Sequence, residues 1–187
     1  MNDNYDLTKL KKDKKPRTNS KAKGSRFERK IANMFNEKFN TTEFSRTPGS
    51  GAFATTHSLP KHLQIYGDLI APKNFKYCIE CKKGYKNVKL NNLLDYSSQL
   101  WKFIDQCEKD SKKCEKEPML LFQQDRQPIL AFMRDEWFPG THHTEGSSIH
   151  IKMGEYMIVH FEKILKDWDI QDWFTSPPSQ DYIPASY

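Results

Sequence analysis

Three side chains suited to metal-assisted hydrolysis lie close together in the chain. Asp68 begins a short apolar segment, and Glu80 and Lys82 stand two residues apart in the next one. Side chains alternate faces along a strand, so a spacing of two puts Glu80 and Lys82 on one face. Two carboxylates are ligands with which proteins bind Mg²⁺ or Mn²⁺, leaving room for water and a phosphate. An ammonium beside the ion can orient an attacking water, so the pattern predicts metal-dependent phosphodiester hydrolysis.

A predicted hairpin brings these residues together. Strands are expected at 68–71 and 75–82, separated by Pro72-Lys73-Asn74. In this arrangement Asp68 lies beside Glu80. The other face of the second strand supplies core residues, namely Tyr77, Ile79 and Cys81.

A third carboxylate, Glu28, belongs to a predicted amphipathic helix at 25–39. Ser25 and Glu28 have the spacing of a capping box. Apolar residues then recur at helical spacing: Phe27, Ile31, Met34, Phe35 and Phe39. Glu28 flanks this stripe, and two roles stay open for it: a helix cap alone, or a further carboxylate at the metal site.

Arg46 ends a predicted strand at 41–46, immediately before the Gly/Ser-containing loop 47–51. Its guanidinium is suited to holding a phosphate, with the loop around Ser50 supplying further donors. The following segment, 52–66, is polar and is expected to form a substrate-facing loop or flap.

The rest of the chain predicts further helices and strands. In chain order they are a helix at about 90–108, a charged loop at 108–117, strands at 118–123 and 129–133, a hairpin of 148–153 with 155–160, and a short helix at 161–168.

The basic charge is concentrated at the N-terminus. Residues 1–23 hold eight Lys/Arg and three Asp, which accounts for five of the net charge of +6. We therefore expect a flexible basic arm at 1–22, a single domain at 23–170 and a flexible tail at 171–187. Such an arm suits a polyanionic partner, because each phosphate contact releases counterions; a leader that only aids solubility is the alternative. Further basic residues next to the predicted site are Lys23, Lys83, Lys86 and Lys89.

Several classes of protein are disfavoured. No apolar run approaches the roughly 20 residues of a membrane span, and the polar N-terminus lacks a secretory h-region. We therefore expect a cytoplasmic protein with reduced cysteines. Cys78 and Cys81 have an odd separation within a predicted strand, which points them to opposite faces and argues against a shared zinc.

Four sequence blocks, in this order, resemble the PD-(D/E)xK nuclease superfamily, and within it the archaeal-type Holliday-junction resolvases and their phage relatives. The blocks are Lys23-Gly24-Ser25-Arg26-Phe27-Glu28-Arg29, Phe44-Ser45-Arg46-Thr47-Pro48-Gly49-Ser50, Gly67-Asp68-Leu69-Ile70 and Cys78-Ile79-Glu80-Cys81-Lys82. The resemblance covers about residues 23–104. Gly67 stands where the motif has its proline, and the connection from Gly49 to Asp68 is longer than in the compact archaeal enzymes.

The resemblance implies an α/β fold with a restriction-endonuclease-like core, in which a mixed central β-sheet is flanked by α-helices. It also implies a homodimer, at most two divalent ions per site and cleavage that leaves a 5′-phosphate. The active-site residues that carry over are Glu28, Arg46, Asp68, Glu80 and Lys82. The expected metal ligands are Asp68, Glu80, the backbone carbonyl of Cys81 and, for a second ion or its waters, Glu28.

The sequence thus predicts a Mg²⁺-dependent DNA endonuclease that resolves four-way junctions, with Mn²⁺ as an alternative ion. For a phage-encoded member the location would be the host cytoplasm. DNA contacts are expected from Arg46, Ser50, Lys23, Lys83 and Lys86. Two alternatives stay open: a nuclease for flaps, forks or duplex, and a catalytically silent DNA-binding module.

Overall fold

A computed structural model describes residues 19–48, 66–85, 88, 90–95, 97–137 and 150–175. The helices are α1 (Ser20–Phe39), α2 (Gln99–Cys114), α3 (Phe161–Asp167) and α4 (Ile170–Trp173). The strands are β1 (Ser45–Arg46), β2 (Leu69–Ile70), β3 (Tyr77–Lys83), β4 (Glu117–Gln123), β5 (Leu130–Arg134), β6 (His150–Met153) and β7 (Tyr156–His160). Short 3-10 helices occupy Leu90–Leu94 and Asp135–Trp137. None of these described helices is long and apolar enough to cross a membrane.

The central sheet has five described strands in the order β3-β4-β5-β7-β6. β3 and β4 run parallel with α2 between them, and the other neighbours are antiparallel. The register aligns Glu80 with Leu120 and Lys82 with Phe122. β3 is the first strand in this order and is therefore an edge strand of the described sheet. β1 and β2 form a separate antiparallel pair. This mixed sheet between helices is the α/β, restriction-endonuclease-like fold that the sequence predicted.

Each face of the sheet is covered by its own apolar layer. α1, α3 and α4 cover one face with a core rich in aromatic rings, in which Phe35, Phe75 and Trp173 are almost fully buried. α2 covers the other face through Trp101, Ile104 and their neighbours. Because β3 alternates between these layers, Ile79 and Cys81 lie in the α1 core whereas Glu80 and Lys82 face α2.

The predicted hairpin of 68–71 with 75–82 is wrong. β2 pairs with β1, with Arg46 opposite Leu69, and forms no ladder with β3 among the described residues. Just before β2, the Asp68 N–H donates to the Ile79 carbonyl at 2.8 Å. Asp68 still lies beside β3, because this bond holds the start of β2 against its edge.

The helix boundaries also differ from the prediction. α1 begins at Ser20, with Asn19 as its N-cap accepting from the Lys21 N–H at 3.0 Å, so Ser25 and Glu28 are interior residues and form no capping box. The predicted helix at 90–108 is divided into a 3-10 turn and α2. α2 continues to Cys114, through most of the segment predicted as a charged loop.

The predicted domain ends are displaced outward. α1 begins three residues before position 23, and the side chains of Trp173 and Phe174 are buried in the α1 core although 171–187 was predicted as a tail. Residues 1–18 of the predicted arm at 1–22, and residues 52–65 of the predicted loop at 52–66, lie outside the described residues.

Candidate active site

Asp68 is fixed beside the edge strand by two backbone contacts. Its own N–H donates to the Ile79 carbonyl, and its Oδ2 accepts from the Cys81 N–H at 2.8 Å. The residue is only 8 % exposed. Gly67 makes this approach possible: it has φ +76°, and an added Cβ would collide with the Ile79 carbonyl. Steric crowding therefore explains why this chain has glycine at the position where the motif has proline.

Glu80 and Lys82 form an ion pair on the side of β3 that faces α2. The Lys82 Nζ donates to Glu80 Oε1. The same Nζ lies 5.5 Å from the centre of the Phe103 ring on α2, a cation–π contact that limits where the ammonium can point. Glu80 is 6 % exposed. The pair is therefore a largely desolvated charge pair held between a strand and a helix.

The two carboxylates oppose each other's ionisation. Burial, and then the charge of Glu80, raise the pKa of Asp68 to about 7, against the opposing effects of Lys82 and the Cys81 N–H. Burial also raises the pKa of Glu80, although Lys82 partly offsets it. Burial lowers the pKa of Lys82, but the Glu80 carboxylate and its hydrogen bond outweigh this and hold that pKa above its usual range. One ammonium thus compensates two buried carboxylates incompletely.

Glu28 and Arg46 form a second buried ion pair next to the first. The Arg46 Nε donates to Glu28 Oε2, which ties β1 to α1. Glu28 is 7 % exposed and its charge contributes to the raised pKa of both Asp68 and Glu80. Three carboxylates are therefore within electrostatic reach of one another, and Arg46 engages one of them, Glu28.

The donor set fits a hard divalent cation. Asp68 and Glu80 are buried oxygen donors with raised pKa values. A cation bound beside them would favour the ionised carboxylates and lower these pKa values. Among the described residues, no three His, Cys, Asp or Glu side chains already converge into a metal cage. A Mg²⁺ ion held by one or two carboxylates and completed by water and substrate oxygens needs no such cage.

Comparison with known proteins identifies the family. Residues 19–175 match the family described as "Phage putative PDDEXK endonuclease". The chain belongs to this PD-(D/E)xK family. It is also 34 % identical over 113 residues to Protein D14 of Escherichia phage T5, a match that covers 57 % of this chain and 66 % of that protein, just under two thirds of its length. No solved structure matches significantly.

In this PD-(D/E)xK chain the five predicted active-site residues lie near one another, because the charge of Glu28 acts on both Asp68 and Glu80. Asp68 contacts the backbone of Cys81, Glu80 contacts Lys82, and Glu28 contacts Arg46. Their catalytic and metal-binding roles stay predictions. Asp110 belongs to the segment predicted as a charged loop, and on α2 it is close enough for its charge to raise the pKa of Glu80.

The predicted DNA-contacting residues divide into described and undescribed ones. Lys23 forms an ion pair with Asp125. Lys83 donates to Gln123 Oε1 at 2.8 Å and lies over the Phe27 ring. Ser50 and Lys86 lie outside the described residues, as does Lys89.

Two basic residues of the site's surroundings were not singled out from the sequence. Arg26 and Lys30 are exposed on α1, and with Lys23 their charges act on Lys83, whose pKa is lowered by burial and then by these like charges. Positions 23, 26 and 30 follow helical spacing. Their common face could therefore have been predicted from the sequence if the first helix had been extended to include Lys23. We call Lys23, Arg26, Lys30 and Lys83 the basic cluster.

Proposed function

We propose that the chain is a divalent-metal-dependent DNA endonuclease whose active site is built on Asp68, Glu80 and Lys82. The observation that carries the proposal is the burial of two carboxylates with raised pKa values beside one ammonium, at the edge of a rigid sheet. A stabilising core would not gather these charges, because burying a second carboxylate destabilises the fold. Perturbed groups of this kind are typical of catalytic sites.

Each residue has a distinct role in this proposal. Asp68, Glu80 and the Cys81 carbonyl would hold Mg²⁺, with Mn²⁺ as an alternative, and such an ion supplies charge neutralisation at the phosphate and a lowered pKa of water. Lys82, held by Glu80 and Phe103, is a charged donor that orients the attacking water. Arg46 donates to a phosphate oxygen next to the cut, and Glu28 positions Arg46 or accepts from waters at the site.

The proposed substrate is branched DNA, in particular the four-way junction, cut by a homodimer. The support is the set of four sequence blocks shared with the junction-resolving branch of the superfamily. The basic cluster on α1 and β3 adds cationic groups for duplex arms beyond the cut. Flaps, forks and plain duplex are the competing substrates.

The test is cleavage of labelled four-way junction, flap, fork and linear duplex by the full chain, with Mg²⁺ or with chelator. We expect Mg²⁺-dependent cutting, most rapid on the junction. Asp68→Asn and Glu80→Gln should each lower the rate at least 100-fold while DNA binding persists, because each removes a ligand charge at nearly constant shape.

Asp105→Asn, an exposed change on α2, is the matched control and should cut normally. Binding of all four DNAs without cutting under Mg²⁺ or Mn²⁺ would favour the silent DNA-binding module. Equal cutting of all four would leave a general nuclease and remove the junction preference.

A further inference from the structure

A second concave site opens beside the catalytic lysine, on the side that faces α2. It is a cavity of about 430 Å³, within the range of about 300–1,000 Å³ in which small-molecule sites fall. Its described lining residues come from two segments. Tyr85 and Val88 follow β3, and the residues before and at the start of α2 are Asn92, Asp95, Ser97, Ser98 and Gln99.

This cavity is linked to the active site through a single aromatic ring. The Lys82 Nζ lies 5.5 Å from the centre of the Phe103 ring, and the Tyr85 ring lies 4.7 Å from the same ring at an angle of 60°. The Tyr85 ring is therefore connected to the Lys82 ammonium through two side-chain contacts, both of them made by Phe103.

The lining chemistry points to a nucleobase and not to a phosphate. Of the described lining residues none is basic and Asp95 is acidic, which disfavours an anion. Tyr85 is 41 % exposed although aromatic, so part of its surface is accessible to a ligand. Amide, hydroxyl and carboxylate groups in the same lining, from Asn92, Ser98, Gln99 and Asp95, suit the donors and acceptors of a base edge.

The polar part of the lining is held by hydrogen bonds. The Ser98 Oγ donates to the Asn92 carbonyl at 2.9 Å, and the Ser97 N–H and Oγ donate to Asp95 Oδ1 at 2.9 and 2.7 Å. Such preorganisation lowers the entropy lost when a ligand is bound.

We propose that this cavity holds one unpaired nucleobase, stacked on Tyr85, next to the phosphate that is cut. A base can stack on a protein ring only when it has left its own stack, so the cavity selects DNA that has unpaired or splayed nucleotides at the cut. This deepens the proposed function, on which it rests, by naming the feature of branched DNA that is recognised.

The experiment uses the full chain carrying Glu80→Gln, so that DNA stays intact, with a forked DNA and a fully paired duplex of equal length. 2-Aminopurine is placed at each of the first three unpaired positions of the fork in turn. Removing a stacking side chain costs about 1–3 kcal/mol per base. Tyr85→Ala should therefore weaken fork binding about 10-fold and leave duplex binding within about twofold.

Two further variants separate stacking from folding. Tyr85→Phe keeps the flat ring and should restore both affinity and the change in 2-aminopurine emission at one position. Tyr85→Leu keeps an apolar contact with Phe103 but has no flat face, and should behave like Tyr85→Ala. Ile151→Ala, an exposed apolar change on the far-edge strand β6, is the control and should bind like the parent.

Fork affinity and emission that do not depend on position 85, or equal losses on fork and duplex, would overturn the inference. Cleavage by the chain with Glu80 intact is measured separately. If the chain cleaves DNA normally but fork binding does not depend on Tyr85, the base-binding proposal is wrong and the nuclease proposal is unaffected. A Tyr85-dependent 2-aminopurine signal without any cleavage ends the nuclease proposal and leaves the base site standing.

Discussion

The Asp68 carboxylate is held where burial and the Glu80 charge both oppose its ionisation. Its pKa is about 7 in the folded chain and about 3.9 in an unfolded one. Below pH 4 both states are protonated and folding carries no penalty from this group. As pH rises from 4 to 7 the unfolded state loses the proton first, so the stability of the metal-free protein falls.

Removing that charge should therefore stabilise the metal-free fold. We expect Asp68→Asn to raise the free energy of unfolding at pH 8 by about 2–4 kcal/mol, with the gain disappearing near pH 4. Denaturant unfolding in the presence of chelator measures this. Added Mg²⁺ should raise the unfolding midpoint of the wild type at pH 8 and leave the variant nearly unchanged.

Asp105→Asn serves as the control here as well, because it removes an exposed carboxylate and should give no gain at either pH. A loss of stability in Asp68→Asn at pH 8 would mean that the contact with the Cys81 N–H outweighs the repulsion from Glu80. Asp68 would then be a structural carboxylate.

The residue types and spacing at the centre of the site could be predicted from the sequence, whereas the pairing that assembles it could not. Alternation along one strand suffices to put Glu80 and Lys82 together. The position of Asp68 depends on a contact between the start of β2 and Ile79 that is not part of any ladder. The pairing of β2 with β1 crosses the undescribed segment 49–65, and local pattern says nothing about such a distant partner.

At the scale of elements, propensity placed the helices but misjudged their ends. Ser25 and Glu28 have the residue types and spacing of a capping box, yet α1 begins at Ser20, five residues before the predicted start, and Asn19 is its N-cap. Glu28 is instead engaged by Arg46, a contact that only the tertiary fold reveals. α4, with four residues, is too short to give a periodic signal.

The aromatic end of the described chain is an integral part of the core. Trp173 is fully buried, and its ring packs on Phe35 at 5.5 Å and on Trp168 at 5.0 Å between centres. We expect Trp173→Ala to destabilise the fold by about 3–5 kcal/mol. Trp173→Phe should cost less, because the indole Nε1 has no hydrogen-bond partner among the described residues.

Denaturant unfolding of both variants, with exposed Ile151→Ala as the control, measures this. Wild-type stability in Trp173→Ala would mean that the fold ends at 170, as the sequence suggested.

At the scale of the whole molecule, like charges gather at one end of the sheet. The basic cluster lies on α1 and the end of β3, near the candidate active site. At the other end of the strands Asp135, Glu136 and Glu155 are paired with Lys152 or Arg134. We expect Lys30→Ala to weaken binding to every DNA several-fold and to reduce the slope of log affinity against log salt by about 0.9.

Titrations of the Glu80→Gln chain at several salt concentrations measure this slope. Lys152→Ala, on β6 and paired with Asp135, is the matched control and should change neither affinity nor slope. An unchanged slope in Lys30→Ala would remove α1 from the DNA-binding surface and leave the undescribed N-terminal residues to supply the electrostatic contacts.

The junction proposal makes a demand on assembly, because a four-way junction has approximate two-fold symmetry and a two-fold dimer presents the same surface twice. Two Asp68–Glu80–Lys82 sites should then act on opposite strands. Mixing wild-type subunits with Glu80→Gln subunits should give heterodimers that nick one strand of a junction but do not complete the paired cuts. Native gels and strand-specific labels distinguish nicking from resolution.

Glu155→Gln, an exposed change away from the site, serves as the mixing control and should leave paired cutting intact. If mixing only dilutes the wild-type rate, with every cut junction still cut on both strands, the two sites do not act within one dimer. A chain that stays monomeric on junction DNA would contradict the resolvase proposal directly. The proposed metal-dependent chemistry would not be contradicted in either case, because the proposed ligands Asp68 and Glu80 belong to one chain and lie beside each other in it.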